Sequence, residues 1–131
     1  MMLSNIFLAL PVIFAGIYHQ WLYFFFASGL FIFSPLYHFS KTKNPHSYYF
    51  KIFKNLDWLF AVGAFLYMYY YVSIHIFNNW RIIFYLLLSL VILFFLYGWK
   101  KGDYQKWHPW FHIVAPIISS AILIVAHLSY S

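Results

Sequence analysis

From Ile113 to Leu128 the chain contains no charged side chain, and other stretches are almost as bare. Water cannot solvate such runs along their length, so they pack against one another or against lipid. Charged residues make up only 8% of the 131, where a soluble domain carries about 25%. Hydrophobic residues reach 65% and aromatic residues 27%. This balance excludes a soluble globule. It predicts an all-α, polytopic integral membrane helix bundle, because a helix satisfies its own backbone hydrogen bonds in lipid.

A bilayer core about 30 Å thick takes about 20 helical residues to cross. On that measure the sequence predicts five crossings in one domain, at residues 2–18, 21–39, 57–77, 80–99 and 108–128. The first is short, and Pro11 is expected to bend it. It has no basic leader and no small-residue cleavage site, so it reads as a retained helix rather than a signal peptide. His19-Gln20 and Asn78-Asn79 mark turns, and Pro35 is expected to kink the second helix near its end. Before the third crossing, Asn44-Pro45 reads as a helix start, with Asn as N-cap and Pro at the first helical position. Tyr48, Tyr49, Ile52, Phe53 and Leu56 then recur at helical spacing. An interfacial amphipathic helix is predicted over 45–56, leading into the third crossing.

The formal charge of +6 comes from eight Lys and Arg against two acids, Asp57 and Asp103. These basic residues sit in short loops, where they set topology and meet anionic lipid headgroups; they do not form a nucleic-acid surface. Lys41, Lys43, Lys51 and Lys54 follow the second helix, and Lys100, Lys101 and Lys106 follow the fourth. Only Arg81 lies in the loops of the opposite side. The positive-inside rule therefore predicts a cytoplasmic N-terminus. Cysteine is absent, so any metal must be held by nitrogen and oxygen.

With that topology several polar residues fall at one depth, in the inner leaflet. Ser34 and His38 share a face of the second helix, Asp57 is placed in the first turn of the third, and His108 and His112 open the fifth. Singly each has an ordinary use: a histidine snorkelling to headgroups, an aspartate complementing a helix dipole, a serine packing between helices. Together they form a chemical set. Three neutral imidazoles with one open position are the ligands of a catalytic zinc, and a nearby carboxylate can serve as general base. Pro109 biases His108 away from helical geometry, so imperfect stacking of the last two histidines is expected.

The order Ser-x-x-x-His, then Asp at the start of the next helix, then His-x-x-x-His entering the last, resembles the CREST superfamily. That group includes alkaline ceramidases, progestin and adiponectin receptor-like proteins and haemolysin III-like proteins. The resemblance implies zinc held by His38, His108 and His112, a water positioned by Asp57, and support from Ser34. It further implies hydrolysis of an amide or ester in a membrane lipid, ceramide-like amides being the best-known substrates. The lipid headgroup is expected near Lys51 and Lys54. Family members usually have seven crossings, so the chain resembles a shortened variant, and a second copy in a homo-oligomer would supply further helices. Two other readings stay open. One is a haem-binding membrane cytochrome, for which His19, His75 and His127 provide a second cluster at the opposite face. The other is a non-enzymatic metal-binding or structural membrane protein.

Overall fold

A computed structural model describes residues 3–102 and 104–130; Asp103 and the first residue of the 2–18 segment lie outside the described residues. The described residues form a helical bundle. A short 3-10 segment, Ser4–Leu8, leads into α1 (Ala9–Ile17), followed by α2 (Trp21–Lys43), α3 (Tyr48–His75), α4 (Asn79–Lys100) and α5 (Tyr104–Tyr130). α2, α4 and α5 from Lys106 onward are long and apolar enough to cross a membrane. α3 has the length, but its lysines and its run of tyrosines dilute its apolar character. The segment Ser4–Ile17 is apolar but short, spanning only about 24 Å.

Several local expectations shift. Pro11 does not bend a helix, because it is the third residue of α1, where its missing amide has no partner to lose. The 3-10 segment runs straight into α1 through helical angles at Leu8 and Ala9. Asn44-Pro45 does not start α3. The Asn44 side chain accepts from the amide of His46 at 3.1 Å, forming a turn, and Ser47 is the N-cap, accepting from Phe50 at 3.1 Å. The interfacial segment and the third crossing are one helix, and Tyr48–His75 is about 42 Å long. That is longer than an ordinary bilayer core is thick.

The turns follow from local chemistry. His19 and Asn78 adopt left-handed backbone angles, φ 56° and 63°, at the two sharp reversals. Gln20 anchors the first reversal by accepting from the Tyr67 hydroxyl at 3.0 Å. At the second, Arg81 donates to the Ile76 carbonyl at 2.7 Å and lies over the Phe77 ring, closing the end of α3.

α2 and α3 pack most intimately, through a reciprocal exchange. Phe60 of α3 lies on Gly29 of α2, and Phe26 of α2 lies on Gly63 of α3; at either glycine a Cβ would overlap the ring. Ala15, Ala27, Ala64 and Ala126, one from each of α1, α2, α3 and α5, are buried in the core beside larger side chains such as Met68, Phe84 and Leu123. Several polar side chains are buried within the apolar core, and large apolar ones cover the outside. Ser34, His38, Asp57, His108 and His112 are buried, whereas Leu66, Leu86, Leu90 and Leu93 are each about 60% exposed. An apolar surface of that extent suits a helix bundle in contact with lipid or with other apolar surfaces.

Candidate metal centre

α2 and α5 bring three imidazoles to one point. His38 stands near the end of α2, one turn beyond Ser34 and three residues beyond Pro35, and the helix continues unbroken through the proline. His108 and His112 stand one turn apart on α5. Pro109 does not displace His108, because it lies in the second turn of α5 and the helix absorbs the loss of one amide. The two Nε2 atoms of α5 are 2.8 Å apart, and that of His108 is 3.1 Å from Nε2 of His38. One nitrogen from each of the three rings lies within 4.8 Å of the others, and the three residues are 4–8% exposed.

These nitrogens fit a tetrahedral metal. Metal–nitrogen bonds of 2.0–2.1 Å place ligand nitrogens roughly 3.3 Å apart, so small ring rotations open the observed edges to that spacing. The chemistry of the donor set agrees. Three buried imidazoles meeting nitrogen to nitrogen, remote from bulk water, must otherwise share donors and acceptors among themselves. The Nδ1 atoms of His38 and His112 point away, buried and without hydrogen-bond partners.

Asp57 reaches the same region from α3. It is not in the first turn of that helix: Tyr48 is the first residue, nine before Asp57. A helix dipole acts only on the first turn, so dipole compensation does not account for this carboxylate. Asp57 is 9% exposed, and its Oδ1 is buried without a partner. A buried carboxylate oxygen left unpaired is costly, and such groups concentrate at functional sites. Ser34 is fully buried and close enough to influence the Asp57 carboxyl, though its Oγ closes no hydrogen bond.

A cavity of about 550 Å³ joins these groups. Asp57, His108 and His112 form part of its wall; Ser34 and His38 stand behind it. Lys54 lines its rim together with Lys41, whereas Lys51 is exposed on the surface and does not reach it.

The other histidines behave differently. His127 stacks on Tyr18 at 4.3 Å, His75 lies tilted against Tyr71 at 4.3 Å, and His19 lies beside Trp21 at 5.6 Å. Among the described residues only His38, His108 and His112 group as metal ligands. The trio also leaves no gap between its nitrogens for a porphyrin, which takes axial imidazoles on opposite faces. Asn5 escaped the sequence reading. It is 5% exposed with both amide atoms unpartnered, in the segment packed on α5 and α2. Its one signal was Ser4-Asn5, a polar pair inside an apolar run.

The chain matches no protein-family model, no curated protein and no solved structure, so the centre rests on its own geometry.

Proposed function

We propose that this chain is a zinc-dependent membrane hydrolase of lipid amides or esters, with five helices crossing the bilayer, a cytoplasmic N-terminus and the centre in the inner leaflet. The observation that carries the reading is the meeting of three imidazoles from α2 and α5, two of which, His108 and His112, share the wall of a cavity with the buried Asp57 of α3. The order and placement of these residues resemble the CREST superfamily. Lysines at the shared end of α2, α4 and α5 support the topology: Lys43, Lys101 and Lys106 each lie over an aromatic ring, as cations do at a headgroup boundary.

Zinc, when bound by His38, His108 and His112, supplies a Lewis acid that polarises a carbonyl and acidifies water. The chain's own residues do the rest. Asp57 accepts a proton from the attacking water and returns it to the departing amine or alcohol. The acyl carbon gains the water oxygen as its bond to nitrogen or oxygen breaks. Ser34, buried close to Asp57, would steady the carboxylate by donating its hydroxyl proton to it. Apolar walls exclude bulk water, which strengthens each electrostatic contact.

Elemental analysis of purified protein tests the first step, with one zinc per chain expected. Asp57→Ala is expected to keep the metal while cells overproducing it lose the change in lipid amides or esters seen with wild type. Wild-type protein without stoichiometric zinc ends the hydrolase reading.

A further inference from the structure

The Ser4–Leu8 segment buries an amide that nothing around it satisfies. Asn5 is 5% exposed, and its Oδ1 and Nδ2 are both buried without a partner among the described residues. Burying a carboxamide unpaired is costly, and each such group in a folded chain needs an explanation. Its surroundings suggest one. Besides its own continuation into α1, the segment packs on α2 and α5, the two helices that carry the three converging histidines.

The register of α1 on α5 puts this amide at the depth of the metal centre. His112, Pro116, Leu123 and His127 recur at helical spacing along one face of α5. His127 stacks on Tyr18 at the end of α1, so α1 and the segment before it lie along that face. From Tyr18 back to Asn5, through α1 and then the 3-10 turns, is about 22 Å. From His127 back to His112 is also about 22 Å. Leu8, one 3-10 turn above Asn5, lines the cavity together with Pro116, one α turn above His112, as that register requires.

His112 has the complementary need. Its Nε2 faces His108, and its Nδ1 is buried without a partner. An imidazole that gives one nitrogen to a metal donates the N–H of the other to an acceptor, which fixes the tautomer and orients the ring. With Asp57 in the cavity wall and Ser34 beside it, the Asn5 carbonyl is the acceptor left on the α1 side of His112. We propose that Asn5 is a positioning residue of the metal centre, its side-chain Oδ1 accepting from Nδ1–H of His112 and so holding Nε2 toward the metal. The assignment rests on the metal centre and not on the hydrolysis assigned to it. Ring rotation that spaces the three Nε2 atoms for a metal also moves Nδ1, so the bond and the metal site form together. Asn5 therefore costs stability without the metal and contributes affinity with it.

The test is the zinc affinity of the purified full chain in nanodiscs, by competition with a chelator, beside the thermal midpoint of the metal-stripped protein. Asn5→Leu removes the acceptor at similar volume. It is expected to weaken zinc by about 10- to 100-fold, the usual effect of losing such a partner, with the metal-stripped midpoint unchanged or higher. Asn5→Asp keeps an acceptor oxygen in the same place and is expected to restore most of the affinity. Ser120→Ala removes another buried, unpartnered group of α5, about 12 Å along the helix from His112, and is expected to leave zinc binding unchanged. Unchanged zinc affinity in Asn5→Leu, whatever its midpoint, makes Asn5 a packing residue and overturns the inference. So does an equal loss of zinc from Asn5→Leu and Asn5→Asp, because the acceptor oxygen would then be irrelevant. Zinc-bearing, active wild type whose affinity Asn5→Leu does not touch retains the hydrolase and sinks the positioning role. Zinc held by an inactive wild type, lost from Asn5→Leu and kept by Asn5→Asp, retains the positioning role and sinks the hydrolase. Wild type that binds no zinc sinks both.

Discussion

At one end of this bundle three buried histidines meet, with His46 apart from them in the α2–α3 turn; at the other end three more stand without meeting. His38, His108 and His112 are buried and turn nitrogens toward one another, whereas His19 and His127 are exposed and His75 is half-buried. At that second end each ring lies beside an aromatic neighbour, Trp21, Tyr71 or Tyr18. An imidazole on an aromatic face gives up little, because its apolar surface is covered while a nitrogen keeps access to the interface. An imidazole facing two others in a dry interior has no such outlet, and a shared cation satisfies all three at once. Residue type and membrane depth are thus poor guides to chemistry, and convergence is a good one.

The strongest way to break this contrast is His112→Ala. It is expected to abolish stoichiometric metal in elemental analysis while helicity by circular dichroism is retained; His127→Ala is expected to leave the metal content unchanged. Equal losses from the two variants would erase the distinction between the ends. Acidification gives the same contrast without mutation. A histidine ligates only as neutral imidazole, so protons displace the metal as pH falls, and retention of bound zinc in mild acid would count against imidazole ligation.

Asp57→Asn comes next in size. It is expected to keep the metal and to lower lipid hydrolysis by about 10²- to 10⁴-fold, the usual contribution of a general base. Smaller again is Gly29→Leu, which places atoms inside the Phe60 ring and is expected to lower stability by roughly 1–3 kcal/mol. A thermal midpoint measured in one detergent checks it, and an unchanged midpoint would mean that α2 and α3 do not interlock as described. The smallest effect belongs to the second end. His127→Ala removes one ring from the stack on Tyr18 and is expected to cost about 0.5–1.5 kcal/mol in the same assay.

Much of the fold was legible because apolar runs and polar breaks are local signals. The helices appear where the runs predicted them, and His19-Gln20 and Asn78-Asn79 do reverse the chain. The start of α3 was misplaced because Asn44 and Ser47 are both good caps, and only the turn around His46 decides which side chain is used. Asp57 followed that error, moving from a first turn to the helix interior. His38, His108 and His112 were legible as candidates by spacing and depth. Asn5 was not, since nothing in a short apolar segment says which face will be buried.

The sequence by itself determined that the chain is helical and apolar, that any metal must be held without sulfur, and which few polar residues lie among the apolar runs. Those are properties of composition and of period along one strand of backbone, and they hold whatever the helices touch. Tertiary structure alone decided that His38 faces the α5 pair, that Ser34 stands behind Asp57, and that the cavity passes Lys54 and not Lys51. Each depends on the rotation of one helix against another, fixed between α2 and α3 by Phe60 on Gly29 and Phe26 on Gly63. Rotation has no signature in spacing, because every residue keeps its place along the helix while its neighbours across the seam change.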